Sequence, residues 1–222
     1  MKKEPIKLVV TAGPTREHLD PARFLSNPST GKMGFAIAEE ASSRGWQVVL
    51  VSGPVSLPSP AGVKRVDVVS ARDMLKAVRE ALSTGGRQVL ISAAAIADWR
   101  PKNYSTEKLK KHQMNGIIEL VRNPDVLKTI KSDLRRKKLP SAKLIGFAAE
   151  TRDIISEAMR KCRSKGLEFV VANDISEEGS GFSSDTNRVS IVYKNGDVKD
   201  LSMMKKRNLA AIIVDEISSL CL

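Results

Sequence analysis

Histidine, cysteine and aromatic residues are scarce in this chain, and each scarcity removes a class of chemistry. Two imidazoles, His18 and His112, leave a zinc site almost nothing to build from. The two cysteines, Cys162 in a helical pattern and Cys221 at the penultimate position, read as core or near-terminal thiols ahead of a disulfide or a metal site. Aromatics make up 4% of the residues with no aromatic-bearing RNA-binding signature, so platforms for stacking single strands are poorly supplied. No stretch approaches the roughly 18–20 uninterrupted apolar residues of a membrane span. The first residues, Met1–Pro5, lead straight into a β-like segment, without the apolar region or cleavage site of a secretory signal. The expectation is a cytoplasmic protein with no membrane partner.

What the chain has in excess is positive charge, a net +12. That balance suits nucleic acid, an anionic surface or small polyanionic ligands. Part of it is solvated surface, as in Arg135-Arg136-Lys137-Lys138 at a helix end, where cations also suit the helix dipole. With so few aromatics, nucleic acid ranks below phosphorylated small molecules. The 222 residues, 41% of them hydrophobic, fit one large domain, 1–222, with a sizeable core.

Strand-like and helix-like segments alternate along the chain. Strands are predicted at Lys7–Ala12, Gln47–Ser52, Val66–Val69, Gln88–Ala95, Lys143–Ala148 and Glu168–Ala172, with a short one at Ile117–Val121. Helices are predicted at Met33–Arg44, Ala71–Leu82, after Asn123-Pro124-Asp125, and at Thr151–Lys165. In the last of these Ile154, Ile155, Ala158, Met159 and Cys162 share a face. An irregular basic stretch occupies Asp98–Gly116. A hairpin, Val189–Leu201, turns at Asn195-Gly196, and a final helix, Lys205–Leu220, carries an apolar stripe. The alternation predicts an α/β fold: a doubly wound, mostly parallel (Rossmann-like) sheet with a C-terminal hairpin and helix.

Ligands of such sheets bind beyond the carboxyl ends of the strands. The G-x-G-x-x-G fingerprint is missing after the first strand, as is the P-loop pattern, which argues against a nicotinamide or flavin oxidoreductase. Ser26–Gly34 instead offers a small, hydroxyl-rich turn into a helix N-terminus. It reads either as an anion site or as a helix start capped by Ser29 or Thr30. Small residues at Ala93–Ala97 admit close approach of a ligand, and Asp98 can accept from ribose hydroxyls or cap a turn. Lys108-Leu109-Lys110-Lys111 is a solvated face or a basic loop closing over a triphosphate. Phe147 is a base-stacking ring or a core residue. Lys161 and Lys165, four apart, form a two-cation clamp or a solvated face.

Taken in order, several stretches resemble the synthetase domain of phosphopantothenate–cysteine ligase, which in bacteria often forms the C-terminal half of a bifunctional protein with a flavin-dependent decarboxylase. They include Val10–Glu17, Ser26–Gly34, Val51–Pro54, Ala93–Pro101 and Lys108–Lys111. Arg122–Asp125, Gly146–Thr151, Val171–Asp174 and Gly181–Asn187 continue the series, so that nearly the whole chain is covered.

The resemblance implies a ligase in which the carboxylate of 4′-phosphopantothenate attacks the α-phosphate of CTP. Cysteine then displaces CMP from the acyl-cytidylate. It implies that Asn27 holds the intermediate and that Lys108 closes onto the nucleotide. Ser92, Ala93, Ala94, Asp98, Val121, Arg122, Asn123, Pro124, Phe147, Lys161 and Lys165 would line the nucleotide site. It also implies Mg²⁺, with ligands unassigned, and a homodimer to which Asp98–Gly116 contributes an arm. With no decarboxylase segment before Met1, a stand-alone ligase or an excised half is expected. The bacterial motifs favour CTP over ATP. Two alternatives stand beside this reading, a nucleotide-dependent oxidoreductase on a related sheet and a basic nucleic-acid-binding module with steeply salt-dependent affinity.

Overall fold

A computed structural model describes residues 5–111, 116–177, 179, 181 and 184–221. His112, and Phe182 and Ser183 of the Gly181–Asn187 stretch, lie outside the described residues.

The first apolar run forms β1 (Lys7–Ala12), and the long connection after it holds a two-stranded ribbon, β2 (Arg16–His18) with β3 (Phe24–Ser26). Three-residue strands carry too little periodicity to be read from sequence, and neither is among the strands predicted above. The chain continues through α1 (Lys32–Ser43), β4 (Gln47–Ser52), β5 (Lys64–Asp67), α2 (Ala71–Ala81) and β6 (Gln88–Ser92). A second ribbon follows, β7 (Trp99–Pro101) with β8 (Leu120–Arg122). Then come α3 (Val126–Arg135), β9 (Ala142–Glu150), α4 (Ile154–Lys165) and β10 (Phe169–Asp174). The hairpin β11 (Thr186–Tyr193) and β12 (Val198–Lys205) leads into α5 (Lys206–Leu220).

The main sheet runs β12-β11-β10-β9-β6-β1-β4-β5, parallel from β10 to β5 and antiparallel across the terminal hairpin. Counting its parallel strands in chain order gives 3-2-1-4-5-6, the doubly wound arrangement with its switch point between β1 and β6. Alternate residues of each strand serve the two faces. Leu8 and Val10 meet α1 and α5 on one side, while Val9 and Leu90 meet α2, α3 and α4 on the other. Leu8, Leu50, Ile91 and Ile145 are wholly buried, and truncating any of them to alanine would cost about 2–5 kcal/mol.

Several expected boundaries move. The strand expected at Gln88–Ala95 ends at Ser92, because Ala93 and Ala95 bond to Thr11 and Gly13 in an irregular continuation of the pairing with β1. β5 starts two residues earlier than expected, set by its register against Val49–Ser52. Leu120–Arg122, rather than Ile117–Val121, pairs with β7, and Ile117 is exposed. In α4 the buried residues are Ala158 and Cys162, whereas Ile155 is exposed and does not share the core face.

Candidate functional site

At the switch point the segments leaving β1 and β6 run side by side, bridged at Pro14 and Ala95. Close approach there depends on glycine. Gly13 and Gly31 adopt left-handed backbone, and a Cβ at Gly34 would stand 2.6 Å from that of Ala12. The start of α1 is thereby seated on the end of β1. Gly31, not Ser29 or Thr30, is its N-cap, and no side chain caps it; Ser29 Oγ instead accepts from the Gly31 amide at 3.3 Å. The ordinary-capping reading of this turn does not hold. The first-turn residues, whose amides have no intrahelical acceptor, line a cavity of about 300 Å³ together with Asn27, Ala93–Ile96, Lys161 and Lys206.

A smaller cavity of about 150 Å³ is lined by Ser92, Ala97, Asp98, Pro124 and Lys165. Ala94, Ile96 and Phe147 line both, so they form a shared wall between two compartments. Asn123 lines neither cavity but fastens the Ala97–Asp98 segment: its Nδ2 donates to the Ala97 carbonyl at 2.8 Å and its backbone amide to the Asp98 carbonyl at 2.8 Å. The Asn123 Oδ1 is buried with no hydrogen-bond partner among the described residues. Asp98 itself is exposed at the rim.

The residues expected from sequence divide accordingly. Asn27 lines the larger compartment, its Nδ2 donating to the Ala95 carbonyl at 3.2 Å. Ala93, Ala94 and Phe147 are there too, and Ser92, Asp98 and Pro124 stand in the smaller one. Lys161 and Lys165 share a helix face, yet each serves a different compartment. Lys161 pairs with Glu150 at 2.6 Å and Lys165 with Asp125 at 2.8 Å. Val121 and Arg122 lie on the β8 ribbon outside both linings, with the Arg122 guanidinium 5.3 Å from the Trp99 ring centroid.

Lys108 is also apart, exposed in an open basic hollow with Arg23, Lys110 and Lys111. That loop is tied to the β2–β3 turn by Asp20. The Asp20 carboxylate accepts from the amides of Ala22 and Arg23 at 2.8 Å, from Arg23 Nε at 3.0 Å and from the Leu109 amide at 3.2 Å. The Arg23 guanidinium is the main reason its pKa lies well below the usual carboxylate range, helped by those amides and opposed by desolvation.

A match to the DNA/pantothenate metabolism flavoprotein C-terminal domain family extends over residues 4–220. The chain belongs to that family. It is 44% identical over 214 residues to the coenzyme A biosynthesis bifunctional protein CoaBC of Bacillus subtilis, and 42% identical over 215 residues to that of Escherichia coli K12. Each alignment covers 96% of this chain but 51% of the relative, so the chain spans about half the length of these curated relatives. Among solved structures, the C-terminal domain of a CoaBC protein superposes with a TM-score of 0.79 at 40% identity, covering 98% of this chain and 96% of that one. A Cab2 variant in complex with phosphopantothenate-cysteine has the same fold, with a TM-score of 0.77 at 15% identity, over 98% of this chain and 86% of that one.

Four polar residues of the larger compartment of this family domain were not singled out from sequence: Lys32, Asn173, Asn187 and Lys206. For Lys206 a signal existed. It lies three and seven residues before Leu209 and Ile213, hence on the buried stripe of α5, where a lysine is out of place.

Proposed function

We propose that this domain is a CTP-dependent phosphopantothenate–cysteine ligase, a carboxylate–amine ligase of coenzyme A synthesis acting in the cytoplasm. The observation that carries the reading is the pair of compartments sharing the Ala94–Ile96–Phe147 wall at the switch point, in a chain so similar to CoaBC. A two-substrate condensation needs an acyl site and a nucleotide site in contact, and a shared wall of small side chains brings an acyl carboxylate and an α-phosphate together.

In this mechanism a carboxylate oxygen of 4′-phosphopantothenate attacks the α-phosphorus of CTP. The α–β phosphoanhydride bond breaks and pyrophosphate leaves with its electron pair. The cysteine amine then attacks the acyl carbon, loses a proton, and CMP departs. No side-chain nucleophile is required; the chain positions reactants and neutralises charge. Asn27, whose amide already donates to a backbone carbonyl, is suited to hold the mixed anhydride. Phe147 and Lys165 would flank the nucleotide, and Lys108 would reach it only by moving from its outward hollow.

Among the described residues no group of three or more histidine, cysteine or carboxylate side chains could cage a metal. Mg²⁺ held mainly by phosphate oxygens needs only one or two carboxylates, and Asp98 and Asp125 both line the nucleotide compartment. Those two residues would hold it, and the ion would neutralise charge on the triphosphate. Trp99, Tyr104, Ile117 and Leu120, exposed on and near the β7–β8 ribbon, support a homodimer formed through this arm.

The reading is tested by pyrophosphate release with CTP or ATP and Mg²⁺, with and without phosphopantothenate and cysteine. Release should require phosphopantothenate and be faster with CTP. Equal or better turnover with ATP would overturn the nucleotide assignment, and release independent of phosphopantothenate would overturn the ligase.

A further inference from the structure

Thr15 is wholly buried and lines neither compartment, yet its hydroxyl, carbonyl and amide each reach the flank of one or the other. The hydroxyl oxygen accepts from the Ala97 amide at 3.0 Å, one residue before Asp98 at the rim of the smaller compartment. The carbonyl accepts from Ser26 Oγ at 2.8 Å, one residue before Asn27 in the larger one. The amide donates to the Ala95 carbonyl at 3.3 Å, the same oxygen that receives Asn27 Nδ2 at 3.2 Å. These bonds lie just past the Pro14–Ala95 bridge, where the regular pairing of β1 with β6 has already ended. A valine would fill the same buried space. The hydroxyl adds an acceptor for a buried amide that would otherwise have none from this side chain, and with it a fixed spacing between two chain segments.

We propose that Thr15 is a positioning residue for the condensation: it holds the Asn27 turn and the Ala95–Asp98 segment in a fixed relation, and touches neither substrate. The proposal rests on the ligase reading above and deepens it. Both chemical steps take place between the two compartments, the first joining an acyl oxygen to phosphorus and the second parting them. Their rate depends on how the compartments are set against each other, and displacements of about 1 Å are costly to such reactions. Binding of either substrate alone depends on one compartment at a time. Loss of the Thr15 hydroxyl should therefore slow turnover while leaving the apparent affinities nearly unchanged. The competing role is purely structural: Thr15 secures the passage from β1 into the β2–β3 ribbon, and the reaction is indifferent to its hydroxyl.

Steady-state CMP release by the intact protein, with CTP, Mg²⁺, 4′-phosphopantothenate and cysteine, separates these roles in Thr15→Val, Thr15→Ser and Ser26→Ala. Thr15→Val keeps the branched shape and removes the acceptor. Its kcat should fall at least roughly tenfold, with KM for CTP and for phosphopantothenate each within about threefold of wild type. Isotope exchange between pyrophosphate and CTP should fall by the same factor, since both steps span the shared wall. Thr15→Ser restores the hydroxyl but loses a buried methyl, so kcat should stay within about threefold of wild type although Tm falls. Ser26→Ala, at an exposed position, should lower kcat about threefold with Tm within about 1 °C. It serves if Thr15→Val does not fold, and a wild-type kcat there then overturns the proposal. Turnover that follows Tm rather than the hydroxyl, or a raised KM with kcat preserved, overturns the positioning role while leaving the ligase reading standing. A wild type that releases no CMP overturns both.

Discussion

Replacing Gly34 by alanine tests how closely the start of α1 must sit on β1. The added Cβ would stand 2.6 Å from the Ala12 Cβ and 3.2 Å from both the Ala12 Cα and the Thr11 carbonyl oxygen. Carbon atoms in good contact lie about 3.5–4.0 Å apart, so the helix must retreat by about 1 Å. The opposing atoms belong to a wholly buried central strand and cannot yield. Overpacking of this kind costs about 1–3 kcal/mol. The intrinsic preference of a helix for alanine over glycine returns up to about 1 kcal/mol. The net cost should be about 1–2 kcal/mol, a fall of roughly 2–8 °C in Tm for a chain of this size. The same retreat carries the α1 amides and Lys32 away from the larger compartment, so affinity for phosphopantothenate should fall more steeply than stability. Thermal unfolding and titration calorimetry of Gly34→Ala, Ala12→Gly and the double variant provide the assay. The two changes should couple by about 1 kcal/mol or more in the direction of rescue. Unchanged Tm and unchanged affinity in Gly34→Ala, or strictly additive effects, would refute the close-packing argument.

Lys108 is exposed and outside both compartments, so Lys108→Ala should leave Tm within about 1 °C and lower turnover at least roughly tenfold, about 1.4 kcal/mol of barrier; wild-type kinetics would make it a solvated face. Asn27→Ala should depress cysteine-dependent CMP release more than isotope exchange between pyrophosphate and CTP, because charge builds on the acyl oxygen in the second step. An equal fall in both, with a lowered Tm, would assign Asn27 to the turn alone. The folded-state pKa of Asp20 is depressed, so its stabilisation is present above the unfolded value near about 4 and is lost as pH falls through the folded one. The Tm gap between wild type and Asp20→Asn should therefore be constant from pH 5 to 7 and shrink below about pH 4; a gap independent of pH would refute the ionic tie to the Lys108 loop.

The main strands were legible because both of their faces are covered: Lys7–Ala12 and Gln47–Ser52 read as near-continuous apolar runs, and β1 and β4 were found with those bounds. Turn chemistry at Asn195-Gly196 marked the hairpin in the same local way, between β11 and β12. The two ribbons were not legible, since strands such as Arg16–His18 are too short for a period and exist through pairing with a partner six or more residues away. Strand order was likewise outside local reach; the 3-2-1-4-5-6 arrangement is a property of crossovers, not of any segment. The site divides along the same line. Residue types and spacings named Asp98, Phe147, Lys161 and Lys165 as candidates, because small loops after strands and a four-residue lysine spacing are local signals, whereas Asn27 came from the family resemblance alone. Only the tertiary structure sent Lys161 and Lys165 to opposite sides of Phe147, set Lys108 in a separate hollow, and buried Lys206 beside Lys32. Sequence patterning records which face of an element avoids water, whereas the charge a ligand meets depends on distances between elements far apart in the chain.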